Sequence, residues 1–350
     1  NTAVGWEAGN DLSTAHSATL IGYNAGSKLT TGSYNTAVGR DTLGAGAGSA
    51  TTATYCVAIG QNALNDITSG SMNFVVGNNA GQLITTATDN VLMGYGAGAG
   101  LTTGTTNTVL GCGALQNNNA TGNVAVGRFA GLNCSANDNV FLGRSAGQGN
   151  GSGQTGNNNI AIGMNSFFSS TSGAENVIVG RDAGYSITTG GNNTCVGYQA
   201  GQANSPSGNI TTGSSVVVLG NNGIGNIYCA DTSISSSDQR DKTDFTDWTH
   251  GLDWVNQLKP VTYRWDKRSW YDDNTPDGSK KRARLHLGFK AQDVLAVEQA
   301  DGYAGKKDDM LLINLNEDDT AYGMKYERLV VVLTKAVQEL SAKVTALENA

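Results

Sequence analysis

The chain has 350 residues, 48 of them glycine, and a net charge of −7 from 22 Lys/Arg against 29 Asp/Glu. Neither end of it clusters Lys and Arg as a phosphate-backbone binder must, so nucleic acid is not an expected partner; mild acidity serves solubility. No apolar run is long enough to cross a bilayer, so membrane insertion is not expected either. Composition changes abruptly at residue 237: residues 1–236 hold five Lys/Arg and nine Asp/Glu, residues 237–350 seventeen and twenty.

The first part is one repeat. Its unit reads Asn-x-x-apolar-Gly-x-x-Ala-Gly, and its first glycine falls at Gly5, Gly22, Gly39, Gly60, Gly77, Gly94, Gly111, Gly127, Gly143, Gly163, Gly180, Gly197 and Gly220. Most steps are 16 or 17 residues; the longer ones carry insertions such as Gly46–Ala53 and Gln148–Gly156. Insertions at a fixed phase of a repeat are expected to loop out on one face. Each unit has a short β-type run before its glycine, as in Val57-Ala-Ile59 or Val177-Ile-Val179, and a second turn signal, often Thr-Thr-Gly. Two very short strands per unit, punctuated by glycine, predict the coil of a β-solenoid over residues 1–230; helix is disfavoured because interior glycine costs about 1 kcal/mol each. The apolar positions are few, mainly the Val, Ile or Leu before the glycine and the Ala two residues before it or three after. Such coils bury little each, which points to several chains packed about an axis. The Asn opening most units (Asn35, Asn73, Asn90, Asn107, Asn123, Asn139, Asn159, Asn176, Asn193) is placed to form a stacked amide ladder. The chain starts inside a repeat, so a preceding segment is expected.

Strings such as Asn35-Thr-Ala-Val-Gly39 and Cys56-Val-Ala-Ile-Gly60 resemble the head repeats of trimeric autotransporter adhesins. That resemblance implies a parallel β-roll, three chains side by side and a surface-binding role, and leaves the solenoid's hand open here. Cys56, Cys112, Cys134, Cys195 and Cys229 show no CxxC pair and no His at ligand spacing; small buried thiols are expected, rather than disulfides or zinc. With no GGxGxD run either, no metal and no cofactor is expected.

Residues 231–236 form a junction, and residues 237–350 read as a small α/β domain. Thr246–Leu258 predicts a helix with Thr246 as N-cap and Leu252, Val255 and Leu258 on one face, ended by Pro260. Val261–Trp265 and Leu285–Lys290 predict strands flanking a polar loop with Pro276 and Gly278, and Ala291–Gln299 a short helix. Over 324–350, Tyr326, Val330, Leu333, Val337, Leu340, Val344 and Leu347 alternate steps of four and three, a heptad seam. A helix packed on its own core would show a similar stripe; an intersubunit coiled coil is the simpler reading.

The junction carries Ser235-Ser236-Ser237-Asp238-Gln239-Arg240-Asp241-Lys242. Serine needs a base to act as a nucleophile, and lysine serves if burial lowers its pKa; taken alone, a surface turn has the same composition. The tract resembles the Ser-Asp-x-Arg-x-Lys motif of the intramolecular chaperone domain that ends phage tailspikes, L-shaped tail fibres and endosialidases and also occurs in the myelin regulatory factor. Leu258-Lys-Pro-Val-Thr-Tyr-Arg-Trp265, Gly288-Phe-Lys-Ala-Gln-Asp-Val294 and Tyr326-Glu-Arg-Leu329 with Ala336-Val-Gln-Glu-Leu340 resemble its later elements in order. The resemblance implies that Ser237 attacks the carbonyl of Ser236 with Lys242 as general base, breaking the bond between the two serines. Asp238 and Arg240 then shape the turn. Asp241 stands where the family has an apolar residue, and a carboxylate beside Lys242 opposes its work as a base.

The expected function is thus a phage-type tail fibre or spike segment. It would fold in host cytoplasm, sit on the virion, and bind a host-surface receptor or glycan through insertion loops or the shaft. Its partner in assembly is itself, as a homotrimer, and its only reaction is a single-turnover self-cleavage. A bacterial trimeric adhesin with a non-cleaving C-terminal domain is the alternative. A glycan hydrolase fits less well, since it needs two carboxyl groups facing one bond, and Glu7, Asp41 and Asp182, which share a coil position, are never neighbours.

Overall fold

The computed structural model describes residues 1–44, 46, 48, 50–117, 119–151, 153–224, 239–316 and 321–350. The chain divides into two compact units, Asn1–Ile224 and Gly225–Ala350.

The first unit is a β-solenoid. Thirteen three-residue strands, from β1 (Thr2–Val4) to β13 (Val217–Leu219), pair in parallel, each with the strand one repeat away, into one thirteen-stranded sheet in sequence order. The register joins equivalent residues, as in Phe74↔Val91 and Val75↔Leu92. Three residues give one inward side chain, the central one: Leu20, Ala37, Ala58, Val75 and Leu92 are fully buried. The first and third residues point outward, because side chains alternate along a strand.

Two expectations need correction. The Val, Ile or Leu before each glycine is not core; Ile21, Ile59 and Leu110 are 38–48% exposed, while the Ala three after the glycine is core as expected and is joined there by the Leu or Ile seven after (Ala80 and Ile84, Ala97 and Leu101). Each coil also has one strand, not two. At the Thr-Thr-Gly turn three consecutive N–H groups converge on one carbonyl of the next coil: Thr68, Ser69 and Gly70 on Thr85 O at 3.0, 3.2 and 3.2 Å. Converging donors form a nest, which cannot alternate faces as a strand does. Two coils further on, where the step is one residue shorter, the Asn119 side-chain oxygen takes the carbonyl's place, accepting from Thr102, Thr103 and Gly104 at 2.7–3.0 Å.

The amide ladder is present. From Asn73 to Asn176, each buried Asn side-chain oxygen accepts the backbone N–H of the Asn in the next coil, for example Asn90 from Asn107 N at 2.9 Å and Asn123 from Asn139 N at 2.9 Å, and Asn193 ends the run by accepting from Val216 N at 3.0 Å. The amide nitrogens donate to carbonyls on the far side of the turn, as Asn107 does to Ala120 O at 2.8 Å. The stack resumes within the insertions: Thr51 bridges back to Leu29, and Gln154 to Cys134. Cys56, Cys134 and Cys195 are buried, and burial pushes their thiols up to about 11, 12 and 11. Cys112 is exposed, against expectation, because it follows its glycine on the outside of the turn; Cys229 lies outside the described residues.

The second unit packs α1 (Leu252–Gln257), α2 (Ala291–Ala300) and α3 (Leu329–Glu348) with two antiparallel pairs, β14 (Val261–Tyr263) with β15 (His286–Gly288) and β16 (Ile313–Leu315) with β17 (Tyr322–Met324). Its core is Trp254, Val294, Val297, Met310, Leu312, Ile313, Leu329 and Val332. The first helix is shorter than Thr246–Leu258 because Gly251 has non-helical backbone (φ −120°, ψ −95°) and touches α3: a Cβ there would meet Ala336 N at 2.7 Å. The Glu339 carboxylate, not Thr246, accepts the first N–H of α1, that of Leu252, at 2.9 Å. The pair β16–β17 was not visible in the sequence. α3 uses two faces, with Leu329, Val332 and Ala336 buried and the heptad residues Val330, Leu333, Val337, Leu340, Val344 and Leu347 exposed.

Candidate active site

Of the residues expected to cleave the chain, Ser236, Ser237 and Asp238 lie outside the described residues. The described part begins with a single 3-10 turn, Gln239–Asp241, which carries Arg240 and ends at Asp241. The Lys242 N–H closes that turn on Gln239 O at 3.2 Å, and both Arg240 and Lys242 are exposed. The turn therefore offers a cation immediately after the junction. A lysine becomes a base when it is removed from water.

The downstream strings that carry the resemblance acquire physical roles in this unit. Leu258–Trp265 supplies β14, whose Val261, Thr262 and Tyr263 face Gly288, Leu287 and His286. Gly288 is where the Tyr326 hydroxyl lands: a Cβ there would sit within 2.3 Å of that oxygen, which accepts the Phe289 N–H at 3.2 Å. One glycine and one tyrosine thus tie β15 to the turn that starts α3. Trp265 packs edge-on against Tyr263 at 5.3 Å between centroids, with Lys267 over the Trp265 ring at 4.9 Å. Burial, with Arg282 nearby, holds the Lys267 ammonium below its usual range.

Three residues that sequence reasoning missed hold the unit together. Glu298 is fully buried on α2, and its carboxylate accepts the N–H groups of Leu311, Leu312 and Ile313 at 3.0, 2.5 and 3.2 Å. Its signal was spacing: with Val294 and Val297 it makes an i, i+3, i+4 set, which puts a carboxylate on the apolar face of the helix. Glu339 and Gly251 had no such signal, because each matters only through a contact some 85 residues away. Near Glu298, burial first and then Arg328 lower the Lys325 pKa; Lys325 donates to Met310 O at 3.3 Å and Arg328 to Leu311 O at 3.0 Å.

Among the described residues one group offers three ligand atoms within 4.8 Å of one another: His250, Asp253 and Asp301. Their contacts already serve the fold. The His250 ring lies 2.9 Å from Asp253 Oδ2 and 3.6 Å from Asp301 Oδ2, and Trp254 donates its indole N–H to Asp301 at 2.5 Å. Desolvation works hardest against the Asp253 carboxylate, but the hydrogen bond from His250, the backbone of Trp254 and Gly251 and the attraction of the His250 ring together outweigh it, and the carboxyl sits below its usual range. The set fastens the start of α1 to the end of α2 beside the rings of Trp248 and Tyr303.

Residues 237–303 match the family model of the chaperone of endosialidase. No curated protein and no solved structure matches the chain. The second unit therefore carries a chaperone-of-endosialidase domain, a family that implies an autocatalytic, serine-peptidase-like chaperone. A β-solenoid followed by this domain fits a tailspike or tail fibre with a C-terminal chaperone.

Proposed function

We propose that the chain is a segment of a phage-type tail fibre or spike that assembles as a homotrimer under its C-terminal chaperone and then cuts itself between Ser236 and Ser237. The observation that carries this reading is the position of the family match, which begins at Ser237, directly after the proposed scissile bond, and opens on Ser-Asp-Gln-Arg-Asp-Lys.

In the proposed reaction the Lys242 amine takes the proton from Ser237 Oγ, which attacks the Ser236 carbonyl carbon. The proton passes to the Ser237 nitrogen as the C–N bond breaks, leaving the Ser236 acyl group as an ester on Ser237 Oγ. Water then hydrolyses that ester to the Ser236 carboxylate and restores the hydroxyl. Lys242 is exposed in the described unit; assembly would desolvate it and couple cleavage to correct association. Asp241 next to it in sequence would slow the base. The heptad of α3, with Val at one seam position and Leu at the other, favours two strands when considered alone, so the count of three rests on the family and the repeat. The fibre would bind a host receptor or glycan through the insertions Gly46–Ala53, Gln148–Gly156 and Ser205–Thr212, which vary from coil to coil, or along the shaft.

Expression in a bacterial cytosol followed by a denaturing gel tests the reaction. The wild type should yield two fragments, residues 1–236 and 237–350, whereas Ser237→Ala and Lys242→Gln remain full length. A wild type that stays intact would overturn self-cleavage and favour the alternative, a surface adhesin with a purely structural C-terminal domain.

A further inference from the structure

The solenoid keeps its few cations at one place in the coil. Of the five Lys and Arg in residues 1–236, four (Arg40, Arg128, Arg144 and Arg181) stand directly after the repeat glycine. Four aromatic residues take that place in other coils, among them Tyr95, 59% exposed, and Tyr198, 45% exposed. No Asp or Glu stands there in any coil. The stack fixes this column, because each carbonyl in it accepts the N–H two residues past the next glycine. Tyr95 O accepts from Gly113 at 2.9 Å, Arg128 O from Ser145 at 2.9 Å and Arg144 O from Asn165 at 3.0 Å. Its side chains therefore project from a rigid backbone row, about 4.8 Å apart per coil.

The middle of the column differs from its ends. Arg40 and Arg181 each bridge to the Asp that follows them, at 2.8 and 3.2 Å. From Gly60 to Gly163 the residue after the column position is Asn, Gly, Phe or Ser, never an acid. Within that stretch Arg128 lies over the Phe129 ring at 4.5 Å, and Arg144 donates to the Met164 sulfur at 3.3 Å. Both arginines are exposed, and neither has a carboxylate partner among the described residues. Two guanidinium groups thus stand in adjacent coils, oriented by soft contacts and with their N–H forks turned to no acid of this chain. Their mutual repulsion favours an anion between them, and a guanidinium fork matches a carboxylate through two parallel hydrogen bonds.

We propose that Arg128 and Arg144, with Tyr95 two coils before them, bind an acidic polysaccharide whose rings carry carboxylates and which lies lengthwise on the coil stack. The inference rests on the reading that the shaft binds a surface glycan, and adds the glycan's chemical class and its place. The arginines take the carboxylates. The Tyr95 ring offers an apolar face and a hydroxyl to a sugar, and the exposed amides of Gln61 and Asn78, further along the column, offer donors and acceptors to ring hydroxyls. An extended sugar chain advances one ring at a time, a step comparable with the coil spacing, so successive rings meet successive coils. Nucleic acid fits less well: a phosphate backbone calls for clustered Lys and Arg, whereas residues 1–236 carry five basic residues against nine acidic ones.

Isothermal titration calorimetry on the full chain tests the site, with oligogalacturonate as acidic probe, its carboxyl-reduced form as neutral control and oligothymidylate as a polyanion without pyranose rings. Oligogalacturonate should bind, less tightly as salt is raised, and the reduced form about tenfold less tightly or worse. Arg128→Gln with Arg144→Gln should weaken the acidic probe by about tenfold or more, and Tyr95→Ala by about threefold. Melting temperatures should stay unchanged, because these side chains are exposed. Arg40→Gln, whose guanidinium already has Asp41, should change the affinity by less than about twofold. No binding of oligogalacturonate, or equal binding of its reduced form, would overturn the proposal. Oligothymidylate that binds as tightly and loses as much in the double variant would overturn the sugar class. A panel of surface glycans separates the site from the reading beneath it. Acidic glycans held equally by the double variant, or neutral glycans held alone, would overturn the site and leave glycan binding intact; a chain that holds no glycan would overturn both.

Discussion

A single glycine per coil determines how closely the solenoid stacks. Gly94 has φ +133°, and a Cβ on it would lie 2.7 Å from the carbonyl carbon and oxygen of Gly111; both neighbours are backbone and cannot move aside. The same contact recurs along the stack, with Gly5 on Gly22 and Gly180 on Gly197. Gly94→Ala should therefore destabilise the unit by about 2–4 kcal/mol, combining a strained φ with a backbone clash. Gly48→Ala, where nothing lies within 4 Å, should be near neutral. Thermal unfolding followed by circular dichroism distinguishes the two; equal melting points would refute the stacking role. The glycine spacing was fully legible, since a residue that must have φ > 0 at every repeat leaves a period. The exposure of Cys112 was not legible, because inside and outside differ there by one position on a turn.

At the scale of elements, buried polar groups decide where short segments sit. The strands β16 and β17 have only three residues each, too few for propensity or alternation to announce. Segment 311–313 is held from outside, by the three N–H groups that the Glu298 carboxylate accepts. Glu298→Ala would leave these donors buried without an acceptor and should cost about 2–4 kcal/mol. Glu298→Gln keeps one acceptor oxygen and should cost less. Urea unfolding of the Ser237→Ala background measures both; a smaller loss for alanine than for glutamine would contradict the assignment. The amide ladder is the corresponding device in the solenoid, and there the sequence announced it, because a stacked side chain must recur at the coil period. Glu298 has no period and acts once.

For the whole molecule, the repeat raises a problem that its own sequence cannot solve. Coils that share the same glycine, in most cases the same asparagine, and an uncharged outward pair fit a neighbour nearly as well after a slip of one unit. On the proposed reading the C-terminal clamp fixes the register, and its removal leaves a fibre protected by a barrier rather than by its equilibrium. The cut fibre should then melt at or above the temperature of uncut Ser237→Ala assemblies, yet recover no assembled species on cooling, whereas the uncut protein should recover it. Light scattering before and after a denaturation cycle reads this out; full recovery by the cut fragment would remove the need for a clamp. The sequence alone determined the solenoid, its coil period, its amide ladder and the motifs of the C-terminal domain, because each follows from a spacing along the chain. Tertiary structure alone decided which apolar residues are core. The Val, Ile or Leu before each glycine is as hydrophobic as its neighbour, and only the alternation of a three-residue strand, anchored by the glycine turn, turns one inward and leaves the other on the surface.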